Sequence, residues 1–100
     1  MSRPRFRIVV LLSGSGSNLQ AILDATRNGA LPGVDVVLVV SDRASAYGLE
    51  RAARAGVPNL LFPIRPFTEA GKTREDYDAG LAEAILPQAP DLIVCAGWMP

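Results

Sequence analysis

Histidine is absent from the hundred residues and cysteine occurs once, at Cys95. The first absence removes the side chain best suited to shuttle a proton near neutral pH. The second excludes an intramolecular disulfide and any cysteine-rich zinc site; it suits a reducing compartment, so the expected location is cytoplasmic. Net charge is missing as well, ten lysines and arginines balancing ten aspartates and glutamates. No long-range field therefore draws the chain to nucleic acid or to an anionic membrane, and a small anionic substrate would need a local site. Long apolar runs are also lacking. Behind the charged opening Met1-Ser2-Arg3-Pro4-Arg5, the run Ile8 to Leu12 gives way to serines and glycines, too short for a signal peptide or a membrane span. What is present is 49% apolar residues, a globular composition. A chain of this size buries somewhat over ~60% of its unfolded surface, so marginal stability is expected.

The apolar residues fall into an alternating pattern. Phe6 to Leu12 reads as a strand buried on both faces, and Asn18 to Asn28 carries Leu19, Ile22, Leu23 and Thr26 at helical spacing, with Asn28-Gly29 as its stop. Val34 to Val40 is a second strand, Ala46 to Ala55 a helix closed by Gly56, and Val57 to Phe62 a third strand. Pro63 to Lys72 holds two prolines and one glycine and reads as a loop. Thr73, with Asp76 three residues later, resembles a capping signature for a helix through Leu86, which Pro87 and Pro90 end. Asp91 to Ala96 is the fourth strand. The order βαβαβαβ, without repeat, linker or low-complexity segment, implies an α/β fold with a doubly wound parallel sheet.

The junction Leu12-Ser13-Gly14-Ser15-Gly16-Ser17-Asn18-Leu19 joins the first strand to the first helix. Glycines there admit a ligand close to the backbone, and the N–H groups of the helix's first turn offer an anion site. A dinucleotide fingerprint is excluded because Leu19 occupies its third small position, and a P-loop would need Gly at Leu19 and Lys at Gln20. The stretch from Ser13 through Ala21 instead resembles the phosphate-binding loop of the phosphoribosylglycinamide formyltransferases. Ser41 to Ala52, Thr73 to Asp78 and Pro90 to Met99 are similar to further segments of that family, so the resemblance covers essentially the whole chain. It implies a Rossmann-like N-terminal half of one formyltransferase domain, residues 1–100, ending before an Asn-x-His segment that carries catalysis together with a later Asp. Pro100 departs from the family pattern, which would continue with an arginine and an apolar pair.

The resemblance implies transfer of a formyl group from 10-formyltetrahydrofolate to glycinamide ribonucleotide in de novo purine synthesis. It assigns Gly16, Ser17 and Asn18 to the substrate, and Arg74 and Met99 to the folate donor. No residue of the chain is assigned to catalysis or to a metal. It also implies a strand order 3-2-1-4, which sets the loops after strands one and four beside one crevice. Each site has a plainer reading: the loop as a tight turn with Asn18 as N-cap, Arg74 as an exposed partner of Glu75 or Asp78, Asp42 as a loop cap, and Cys95 as a small buried strand residue. Two other functions stay open, a sister folate-dependent formyltransferase or hydrolase and a nucleotide-binding fragment without turnover. The strand Leu92 to Ala96 is apolar on both faces, so an exposed edge there would promote self-association.

Overall fold

The computed structural model describes residues 5–99; Pro100, where the family pattern breaks, lies outside them. In chain order the elements are β1 (Phe6–Leu12), α1 (Ser17–Arg27), β2 (Val34–Ser41), α2 (Tyr47–Arg54), β3 (Asn59–Leu61), α3 (Arg65–Glu69), α4 (Arg74–Ile85) and β4 (Leu92–Cys95), with a 3-10 turn at Leu86–Gln88 before β4. All strand pairs are parallel and the order is β3-β2-β1-β4. That is the predicted α/β architecture and the predicted strand order.

The central strand is apolar on both faces because both are covered. Ile8, Val10 and Leu12 pack with Leu19 and Leu23 of α1 and Ala52 of α2. Val9 and Leu11 pack with Tyr77, Leu81 and Ile85 of α4. Full burial of side chains such as Leu12, Leu19 and Tyr77 stabilises the sandwich by roughly 1.5–3 kcal/mol for an aliphatic side chain. The β1–β2 register slips by one between Ile8, opposite Val36, and Val9, opposite Leu38. Val34 and Val36 accordingly share the α1 side with Val39, while Leu38 and Val40 turn to α4.

The helix ends follow their local chemistry. At the end of α1 the Asn28 N–H reaches Asp24 O at 2.9 Å, and Gly29 takes the left-handed φ of 85° that ends the helix. At the start of α4 the expected capping box is complete. Thr73 Oγ1 accepts the Asp76 N–H at 3.2 Å, and the Thr73 N–H donates to Asp76 Oδ2 at 2.9 Å. The Thr73 N–H, and after it the Thr73 hydroxyl, which lies 3.2 Å from the same Oδ2, hold the Asp76 carboxyl below its ordinary 3.8.

Three expectations are corrected. The stretch 63–72 is not all loop, since Arg65–Glu69 forms α3 with a proline in its first turn, where the missing N–H would have had no helical partner. Cys95 is exposed rather than buried, because β4 is the edge of the sheet beside β1. Strand β3 is only three residues long, although Val39 N–H to Pro58 O at 3.0 Å and Phe62 N–H to Ser41 O at 2.8 Å extend its contacts at both ends.

Candidate functional site

The chain leaves β1 at Leu12 and enters α1 at Ser17, and the residues between are held from two directions. The Ser13 N–H donates to Gly97 O at 3.1 Å, and Ser13 Oγ accepts the Met99 N–H at 2.8 Å. Buried Ser13 thus joins the exits of β1 and β4. From α2, the Gly48 N–H donates to Gly14 O at 3.3 Å and Arg51 Nε donates to Ser15 O at 2.8 Å. Arg51 also bonds Gln20 Oε1 at 3.2 Å and lies 4.8 Å from the centroid of the Tyr47 ring. Its guanidinium is committed to holding the loop in place.

Gly16, not Asn18, is the N-cap of α1. Its φ of 77° is left-handed, and a Cβ there would come within 2.6 Å of Gly48 Cα. Glycine is therefore required twice over, by conformation and by the close approach of α2. A glycine cap brings no side-chain acceptor, and the first turn contains no acidic residue. The N–H groups of Ser17, Asn18 and Leu19 lie in that first turn, where no helical carbonyl reaches them, at the positive end of the helix dipole.

In front of this turn is an open pocket of about 300 Å³, lined by residues 13–18, Arg43, Ala96, Gly97 and Met99. Four of the five predicted binding residues, Gly16, Ser17, Asn18 and Met99, meet here. Arg74 does not line the pocket. It begins α4, pairs with Asp78 at 3.0 Å and lies 5.7 Å from the Tyr77 ring centroid. Tyr77 in turn stacks on Trp98, 6.3 Å between centroids and 20° between planes, and Trp98 precedes Met99. Arg74 and Met99 are thus joined through two aromatic rings at the carboxyl end of the sheet.

The Tyr77 hydroxyl donates to Phe62 O at 2.6 Å. Burial, with a smaller contribution from the Asp42 carboxylate, pushes its pKa up to about 12. It keeps its proton at neutral pH, and that proton is held by the Phe62 carbonyl. Among the described residues no group of three or more histidines, cysteines, aspartates or glutamates gathers to hold a metal ion, and no helix is long and apolar enough to cross a membrane.

Sequence reasoning gave Arg43 no role, yet it lines the pocket. The available signal was its place directly beyond the carboxyl end of a strand neighbouring β1, where open α/β sheets take their ligands. The cap of this turn is also not the expected one. Fully buried Ser41 accepts the Arg43 N–H at 3.1 Å and donates to Arg43 O at 3.0 Å. Asp42 caps nothing: its side chain is 6% exposed, with Oδ2 at 3.9 Å from Arg43 Nε and Oδ1 buried without a hydrogen-bond partner.

The family model for formyl transferase matches residues 6–100. Phosphoribosylglycinamide formyltransferase of Schizosaccharomyces pombe is 57% identical over 96 residues, covering 92% of this chain and 46% of that protein. The trifunctional purine biosynthetic protein adenosine-3 of Drosophila melanogaster is 46% identical over 101 residues, covering 99% of this chain and 7% of that protein. Among solved structures, glycinamide ribonucleotide transformylase 1 from Symbiobacterium toebii superimposes with a TM-score of 0.88 at 46% identity, over 99% of this chain and 44% of that one. The chain spans about half the length of the S. pombe and S. toebii proteins.

Proposed function

The chain belongs to the formyl transferase family, and from that premise we propose that it supplies the substrate-phosphate-binding part of a phosphoribosylglycinamide formyltransferase. The complete activity is transfer of a formyl group from 10-formyltetrahydrofolate to the amine of glycinamide ribonucleotide, a step of purine synthesis. The observation that carries this reading is the uncapped, glycine-headed first turn of α1, opening on the pocket between the exits of β1 and β4.

A phosphate in the pocket takes charge-assisted hydrogen bonds from the Ser17, Asn18 and Leu19 N–H groups and from the Ser17 hydroxyl. Gly14, where a Cβ would meet nothing within 4 Å, leaves the backbone approachable. With the phosphate fixed at the loop, the rest of the substrate extends toward the β4 exit, where the folate donor meets Met99. Met99 is 73% exposed and presents a flexible apolar surface to an aromatic ring. Arg74, displaced from the pocket by the Tyr77–Trp98 stack, suits an outlying carboxylate of the donor better than its ring.

Attack of the amine on the formyl carbon gives a tetrahedral intermediate, which needs a proton shuttle and a stabilised oxyanion. The hundred residues contain no histidine, and the Tyr77 hydroxyl is engaged by Phe62 O. That observation favours a second reading, a ligand-binding portion without turnover of its own. Both readings require the same pocket.

Isothermal titration with glycinamide ribonucleotide tests the pocket, and Gly14 is the position to change. A Cβ there meets nothing within 4 Å and its φ is not left-handed, so Gly14→Val leaves the fold intact while narrowing the approach to the backbone. We expect affinity to fall about tenfold or more, with an unchanged circular dichroism spectrum. A folded Gly14→Val chain that binds as the wild type does would refute the site.

A further inference from the structure

We propose that Arg43 is the charge-reading arm of the pocket, a specificity residue that recognises the phosphate as an anion where the loop recognises it by shape. The inference rests on the phosphate reading of the pocket. Among the described residues lining it, Arg43 is the only charged one. The loop itself offers backbone N–H groups and hydroxyls, neutral donors that fit a tetrahedral oxyanion but carry no formal charge. A guanidinium beside them supplies the missing countercharge and a fork of donors matched to phosphate oxygens.

The other arginines around the loop are already engaged. Arg51 holds Ser15 O and Gln20, and Arg54 is paired with Glu50 at 2.9 Å. Arg43 is different. Its side chain is 62% exposed, and its ion-pair partner, Asp42 Oδ2, stands 3.9 Å from Nε, beyond hydrogen-bond reach. Its backbone, by contrast, is fixed. Both polar groups of the Arg43 main chain bond the hydroxyl of fully buried Ser41, and Arg43 O also accepts the Ala46 N–H at 3.2 Å. A rooted base with an uncommitted head is the arrangement expected of a residue that engages a ligand.

The test uses the intact chain, titrated with glycinamide ribonucleotide and with glycinamide riboside, which lacks only the phosphate. Arg43→Ala should raise the Kd of the ribonucleotide about tenfold at low salt, and Arg43→Lys should recover most of that loss. The riboside should bind both variants as it binds the wild type, and the Arg43→Ala penalty should shrink as salt rises. Circular dichroism confirms folding, which an exposed side chain is not expected to disturb. If Arg43→Ala leaves ribonucleotide binding unchanged while Gly14→Val weakens it, the charge-reading role is wrong and the phosphate pocket stands. If neither substitution matters, or the wild type binds no ribonucleotide, the pocket reading falls and this inference with it. Equal losses for ribonucleotide and riboside would also overturn the proposal, since the arm would then be reading something other than the phosphate.

Discussion

Gly14 and Gly16 lie two positions apart in one loop and are glycine for different reasons. Gly16 has a left-handed φ of 77° and no room for a Cβ against Gly48, whereas Gly14 faces open space. Gly16→Ala should therefore cost about 1–3 kcal/mol of stability or more, and Gly14→Ala about 0.5 kcal/mol or less. Urea unfolding of the two variants checks this, and equal midpoints would show that the Gly16–Gly48 approach constrains nothing. The sequence displayed both glycines but not which of them answers to the fold. That depends on α2, whose Gly48 comes to the loop only through the β1–β2 pairing. The same holds for Ser41 and Asp42. Adjacent polar residues at a strand end look interchangeable as caps, and only the direction in which each side chain leaves the strand decides that Ser41 caps and Asp42 does not.

At the scale of elements, α4 is the clearest case of a local signal matched by structure. Thr73 and Asp76 form the reciprocal cap, and the helix they start carries Tyr77, Leu81 and Ile85 into the core. Thr73→Ala should lower global stability by about 1 kcal/mol, read as a shift of the urea midpoint with an unchanged slope. A variant as stable as the wild type would mean that the box is ornamental. The strands and the other long helices were legible because hydrophobic periodicity and glycine stops act locally. Helix α3 was not, since Pro63 and Pro66 read as breakers until Pro66 is seen in a first turn, where it is harmless. The register slip in β2 was also hidden, because a strand apolar on both faces gives the same pattern on either side of a slip. In the site, four of the five named residues came together because one loop and one strand exit supply them all. Arg74 stayed apart because the intervening Tyr77–Trp98 stack is a property of packing that no motif conveys.

At the scale of the whole molecule, the sheet is covered on both faces and ends in two edge strands, β3 and β4. Leu92 is 50% and Ile93 45% exposed in β4, and Cys95 is exposed beside them. We propose that this uncharged edge pairs with another strand, so the isolated chain should self-associate as its concentration rises. Ile93→Lys should reduce that association. Sedimentation with light scattering distinguishes the cases, and a monodisperse wild-type monomer at high concentration would contradict the proposal. The edge strand also has a tie at its far end: Met99 and Gly97 are bonded to Ser13, in the loop that α2 holds through Gly14 and Ser15. An anion seated in that loop therefore sits at the joint of β1, β4, α1 and α2. By mass action, an anion that binds there would stabilise all four at once, by about 2.7 kcal/mol when present at a hundred times its Kd.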